Sequence, residues 1–137
     1  MSEKTIFAKI IDGEIPCAKV YEDDVVLAFL DIQPANQGHT LVIPKEPSID
    51  ATETDPEVLG HIMSVGQKIA RAQRTKLCAT GNNFIFNCGA DGGQEVFHTH
   101  LHVIPRFKDD GVFQPVKHTS YSEGEAAAAA DKLASAL

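Results

Sequence analysis

The chain has 137 residues, 43% of them hydrophobic, which is one domain's length with enough apolar material for a proper core. A formal net charge of −7 makes a nucleic-acid duplex or an acidic membrane surface a poor partner, so any anionic ligand must be held by local donors. Cys17, Cys78 and Cys88 are odd in number, lack CxxC spacing and follow "MSEKTIF", which has no apolar leader core, and no apolar run approaches a membrane span; a soluble cytoplasmic protein with reduced thiols is expected.

In chain order, "TIFAKIIDGEIP" places Ile6, Phe7, Ile10 and Ile11 at helical spacing before Gly13 and Pro16, which predicts a short amphipathic helix. "AKVYEDDVVLAFLDI" holds two β-rich runs around Asp23 and Asp24, the pattern of a hairpin, and "HTLVIP" from His39 to Ile43 supplies a third strand. Connections this short favour antiparallel neighbours. Asp55 can cap a helix with Pro56 at its first position, and Leu59, Ile62, Met63, Gly66, Ile69 and Ala70 fall on one face of a main helix ending near Arg74. "NNFIFNC" and "VFHTHLHVI" return to strand character, with a glycine-rich turn over 89–94 between them. The fold class is α+β: a five-stranded antiparallel sheet with one long and one short helix. Residues 1–106 form that domain, and 107–137 a C-terminal extension in which "SEGE" from Ser122 offers a capping box for a terminal helix.

The segment "DGGQEVFHTHLHVIPR" carries most of the chemical information. On a strand His98, His100 and His102 share one face while Thr99, Leu101 and Val103 share the other. His98 and His102 then lie roughly 13 Å apart, so drawing all three onto one ion is strained, although two of them with His39 or an acid could hold zinc. Imidazoles merely satisfied at a sheet face are a second reading. A third is a nucleophile with helpers, acting on an anion received by the backbone N–H groups of the glycine turn. His61 on the main helix and His118 in the tail read as surface or boundary residues, and Lys68, Arg71 and Arg74 as a solvated helix face.

"HTHLHVI" fits the histidine-triad motif, and with "IFAKIIDGEIP", "YEDDVVLAFLDIQP", "GHTLVIPK" and Asn87 the chain resembles a histidine-triad protein of the Hint branch from about Thr5 to Arg106. The resemblance implies a homodimer joined edge to edge, and an enzyme that cleaves purine nucleoside 5′-phosphoramidates of AMP type at the α-phosphorus without a cofactor. It makes His100 the nucleophile that forms a nucleotidyl-histidine, His102 a donor near the phosphate, and His98 and His39 orienting groups. Gly93, Gln94 and Asn87 are implied around the phosphate or ribose, Asp31 on the ribose hydroxyls with Ile32 beside it, and Ile6, Phe7, Ile10, Phe29 and Leu41 around the base. For those five, ordinary core is the competing reading, as turn formation is for Asp31. Dinucleoside polyphosphate hydrolysis and nucleotide-dependent regulation with incidental turnover are the alternative functions.

Three departures from the family matter. Some relatives hold a structural zinc with two cysteines and a histidine beside the first triad histidine; those positions here are Thr5, Ala8 and Pro47, so no metal is expected. Glu95 replaces a serine of animal relatives that is thought to assist the leaving amine, and a carboxylate accepts but does not donate. The tail beyond Phe107 exceeds that of many Hint proteins, whose C-terminus approaches the partner's active site. A neutral His100 predicts an acid limb in kcat/KM near an ordinary imidazole pKa, roughly 6 to 7.

Overall fold

The computed structural model describes residues 4–137. Helix α1 (Ile6–Ile11) starts at Thr5, whose hydroxyl accepts from the Ala8 N–H at 3.1 Å. Strands β1 (Lys19–Glu22), β2 (Val26–Leu30) and β3 (Thr40–Pro44) follow, then α2 (Pro56–Lys76), β4 (Gly81–Phe86), a single 3-10 turn (Ala90–Gly92), β5 (Leu101–Arg106) and α3 (Glu125–Ala134). Asp55 caps α2 by accepting from the Glu57 N–H, with Pro56 opening the helix. The sheet order is β1-β2-β3-β5-β4 with every neighbouring pair antiparallel. This is the five-stranded α+β architecture expected from the pattern.

Side-chain alternation splits the core in two. Val26, Ala28, Val42, Leu101 and Val103 meet Ile62, Val65, Ile69 and Ala70 of α2. Leu27, Phe29, Leu41 and Ile43 point the other way, onto Phe7 of α1. Gly66 lets α2 approach closely, since a Cβ there would lie 2.6 Å from Leu101 Cδ2.

The structure departs from the sequence pattern at four places. Strand β5 starts only at Leu101, because the Thr99 N–H donates to Ser48 O at 2.8 Å rather than to a strand neighbour, and His98 and His100 precede the strand. Helix α2 runs on to Lys76. Met63 is 40% exposed, one step around the helix from the fully buried Ile62. At α3 the capping box is half made: the Glu125 carboxylate accepts from the Ser122 N–H, but the cap position is Gly124 at φ +81°, with no side-chain cap bond.

Candidate active site

Four imidazoles converge where β3 and β5 pair, with Leu41 opposite His102 in the register. Their surroundings dictate which nitrogen of each ring carries the proton. A carbonyl oxygen only accepts, so His98 donates from Nε2 to Pro44 O at 2.9 Å, and His100 donates from Nδ1 to His98 O at 2.7 Å. A backbone N–H only donates, so His39 receives the Ala35 N–H on Nδ1 at 3.0 Å and keeps its own proton on Nε2. That proton is donated to His102 Nδ1 at 2.9 Å, which leaves the His102 proton on Nε2. The outcome is two complementary rings: His100 presents a bare Nε2, and His102 an Nε2–H.

These rings stack edge to face, His100 against His102 with centroids 4.9 Å apart and Phe7 against His100 at 4.9 Å. His98 is 1% exposed and His100 7%. Burial is the largest effect on all four rings and pushes each pKa below the usual imidazole value, to about 4 at His102, where the neighbouring rings add to it. Burial thereby favours the neutral form of His100.

His100 and His102 open onto a cleft of about 360 Å³. Ile6, Phe7 and Leu41 are among its apolar lining residues, and Asp31, Ile32, Asn87, Gly93 and Glu95 also line it. Gln33 and Val96 also line it, which the sequence did not suggest. Gly93 sits at φ +95°, and a Cβ there would lie 3.6 Å from the Asn87 carboxamide, so the turn and Asn87 are shaped together. Asp31 forms the turn: Oδ1 accepts from the Gln33 N–H at 2.9 Å, while Oδ2 lies 3.7 Å from His39 Nε2 beside the cleft. Ile32 is 88% exposed at the mouth.

Three expected binding residues lie elsewhere. Phe29 is 3% exposed and packs edge-on against Phe7 at 5.7 Å, a layer behind the cleft, and Ile10 packs into the same cluster. Gln94 is 4% exposed with its amide committed: Oε1 accepts from the Gly89 N–H, and Nε2 donates to Ile49 O and Val96 O. It braces the glycine turn against the 47–55 loop instead of offering a donor to the cleft.

That loop was not suspected from the sequence. Ser48, Thr54 and Thr99 close a ring of hydroxyls at 2.8 to 2.9 Å. The ring holds the residue between His98 and His100, so it fixes the peptide whose carbonyl orients the His100 ring. Its signal in the sequence was only the placement of small hydroxyl residues, which carries no long-range information. Thr5 is a second unsuspected support, with its hydroxyl 3.4 Å from His98 Nδ1. His61 pairs with Asp23 at 2.6 Å away from the cleft, and His118 is exposed.

The ligand atoms of Asp31, His39 and His102 lie within 4.8 Å of one another, the spacing of a metal site. The tautomers argue against a metal there. An imidazole ligating through Nε2 needs its other ring N–H facing an acceptor, but His39 Nδ1 faces the Ala35 N–H. Thr5, Ala8 and Pro47 supply no thiolate or imidazole beside His98, and both nitrogens of His98 are already engaged.

Comparison with known proteins agrees with this geometry. The model of the HIT domain matches residues 12–109. An uncharacterized HIT-like protein of Borreliella burgdorferi is 54% identical over 108 residues, 77% of this chain and 78% of that protein. The adenylylsulfatase HINT3 of Arabidopsis thaliana is 44% identical over 108 residues, 77% of this chain and 53% of its own length. A crystal structure of a HIT family protein from Bacillus anthracis superposes with a TM-score of 0.91 at 43% identity, covering 100% of this chain and 99% of that one. The fold coincides with that of a solved relative, and the chain belongs to the HIT family.

Proposed function

We propose that the chain hydrolyses purine nucleoside 5′-phosphoramidates of AMP type through a covalent nucleotidyl-histidine. The observation that carries this reading is the tautomer of His100: Nδ1–H is spent on His98 O, so the Nε2 lone pair is free in a buried, neutral ring beside an open cleft. A nucleophile that needs no base to deprotonate it is already in its reactive form.

In the first step Nε2 of His100 forms the N–P bond in line as the bond from phosphorus to the leaving nitrogen breaks. The electron pair goes to that nitrogen, which takes a proton from solvent. The neutral Nε2–H of His102 is a hydrogen-bond donor to a phosphoryl oxygen, where charge builds. In the second step water forms the new O–P bond, the N–P pair returns to Nε2, and the surplus proton leaves with solvent. Asn87 and the Gly93 backbone hold the phosphate, Asp31 takes the ribose hydroxyls, and Ile6, Phe7, Leu41 and Ile32 bracket the base. None of these steps calls on a cofactor or a metal. The open edge of β4 suits a homodimer joined strand to strand.

A second reading concerns the leaving group. Glu95, exposed at the rim, repels anionic leaving groups and tolerates amines, whereas the relation to an adenylylsulfatase favours sulfate. One assay addresses both: AMP release from adenosine 5′-phosphoramidate, adenosine 5′-phosphosulfate and diadenosine polyphosphates by metal-free wild type and His100→Ala, with intact mass taken after rapid quench. Amine release by wild type alone, with a transient adduct one nucleotidyl group heavier, is the expected result. AMP binding without turnover of any substrate would reduce the protein to a nucleotide-binding regulator.

A further inference from the structure

His39 and His102 take their tautomers from the stretch between β2 and β3, and that stretch is held from outside the cleft. Pro34, Ala35 and Gln37 are exposed. Among the described residues, Asn36 is the one side chain of 33–37 that hydrogen-bonds another part of the domain. Its Nδ2 donates one proton to Pro105 O and the other to Asp110 Oδ2, both at 2.9 Å. Both partners only accept, so the nitrogen rather than the oxygen of the carboxamide faces them.

The main chain around this anchor grips His39. The Ala35 N–H donates to its Nδ1, and Asn36 O accepts from its backbone N–H, each at 3.0 Å. Residues 35 and 36 thus hold both the ring and the backbone of His39. A separate brace comes from α2, where Gln73, 3% exposed, donates to Gly38 O at 3.0 Å and to Val103 O at 2.9 Å. That brace fixes the far end of the loop, and its bonds reach neither Ala35 nor Asn36.

Asp110, at the other end of the Asn36 tether, lies beyond the last strand yet has a side chain only 8% exposed. Besides Asn36, Oδ2 accepts from Arg106 Nε at 2.8 Å and from the Phe107 N–H at 3.0 Å. Oδ1 accepts from Arg106 Nη2 at 2.7 Å and from the Val112 N–H at 3.2 Å. The Arg106 guanidinium holds this carboxyl far below the usual carboxylate range, so it stays ionised and acts as an acceptor alone. Arg106 is itself fixed to β4, donating from Nη1 to Asn83 Oδ1 at 2.8 Å. A carboxylate with every lone pair engaged is a rigid anchor for the one loop side chain that reaches it.

We propose that Asp110 is a positioning residue for the paired imidazoles: through Asn36 it holds Ala35 where its N–H meets His39 Nδ1, and so keeps the proton of His102 on Nε2. The first turn of the C-terminal extension then governs the site although neither Asn36 nor Asp110 lines the cleft. The kinetic part of this inference rests on the hydrolase reading above, and the tautomeric part does not.

The test reads the rings directly. Full-length protein labelled with ¹⁵N at histidine reports the protonated nitrogen of each ring in long-range ¹H–¹⁵N spectra, and AMP release from adenosine 5′-phosphoramidate is followed in the same samples. Wild type should show Nε2–H at both His39 and His102. Asn36→Ala cuts the tether and should populate the Nδ1–H forms of the two rings together. Its kcat should fall by the same factor as the His102 Nε2–H population, at least about threefold, with KM little changed. Asp110→Asn, whose amide must turn an NH2 toward donors, should shift the same two rings. Phe113→Ala removes the aromatic ring 4.9 Å from the Arg106 guanidinium without touching the tether, and should leave tautomers and kcat at wild-type values. Wild-type tautomers in folded Asn36→Ala or Asp110→Asn protein would overturn the positioning role, and so would an equal shift in Phe113→Ala. Tautomers that follow Asn36 in a protein with no turnover would uphold the positioning role and sink the hydrolase reading alone.

Discussion

The face of the sheet under α2 and the face under α1 use alternate residues of the same strands, yet they are built for different ends. Under α2 the contacts are aliphatic, and Ile62, Val42, Leu101 and Val103 are all fully buried. Under α1 the aliphatic cluster of Leu27, Leu41 and Ile43 gives way, within one strand pairing, to His102, His100 and His98. Packing is what the first face needs, and volume alone satisfies it. The second face must hold polar rings out of water in one tautomer each, so it depends on particular backbone groups.

The sharpest way to break this comparison is to change adjacent residues. His100→Ala should lower kcat for phosphoramidate hydrolysis at least about a thousandfold, with a thermal midpoint close to wild type. Leu101→Ala, one residue on and on the other face, should cost about 2–5 kcal/mol in a urea titration while kcat per folded molecule holds. Equal loss of stability in both variants would erase the distinction between the faces.

Acid provides a second handle, on the histidine face alone. Because the folded-state pKa of His102 is lowered to about 4 from 6.5, the unfolded chain takes up the proton first as pH falls. Stability from this ring is complete above pH 6.5 and is lost between there and about pH 4, a total of about 3 kcal/mol. Urea midpoints measured across that range should slope downward for wild type and less steeply for His102→Gln. The burial of His100 also carries the acid limb of kcat/KM below the ordinary imidazole range expected from the sequence. A limb at or above pH 6.5 would contradict a buried neutral nucleophile.

The smallest effect should come from Thr99→Val. Ser48 and Thr54 still bond each other at 2.8 Å, and the Thr99 N–H still reaches Ser48 O, so no buried group is orphaned. The cost should be about 1 kcal/mol, with kcat down by less than about tenfold and KM unchanged. An unchanged kcat would leave the hydroxyl ring a purely structural feature.

Local pattern made much of this legible. Hairpin, long helix, glycine turn and triad are each written within a few adjacent residues, and alternation alone separates His102 from Leu101. What local pattern misses is contact across the chain. Nothing near Gln94 announces that Ile49, 45 residues away, takes its amide, and nothing near Phe29 distinguishes a cleft wall from the layer behind it. The early start assigned to the histidine strand has the same origin: β character runs through "VFHTHLHVI", but Ser48 captures Thr99.

The Ala35 N–H donates a single proton to His39, and through His39 it decides which nitrogen of His102 is left bare. The direction of the whole relay is therefore written in a main-chain amide of the β2–β3 loop, a group that almost every side-chain substitution leaves in place. Only proline lacks it. Ala35→Pro would free His39 to reverse its tautomer and pass that reversal to His102, turning its Nε2 from a donor into an acceptor with all four histidines intact. The polarity of the histidine cluster is in this sense a property of its wiring, and an inventory of its side chains would not reveal the change.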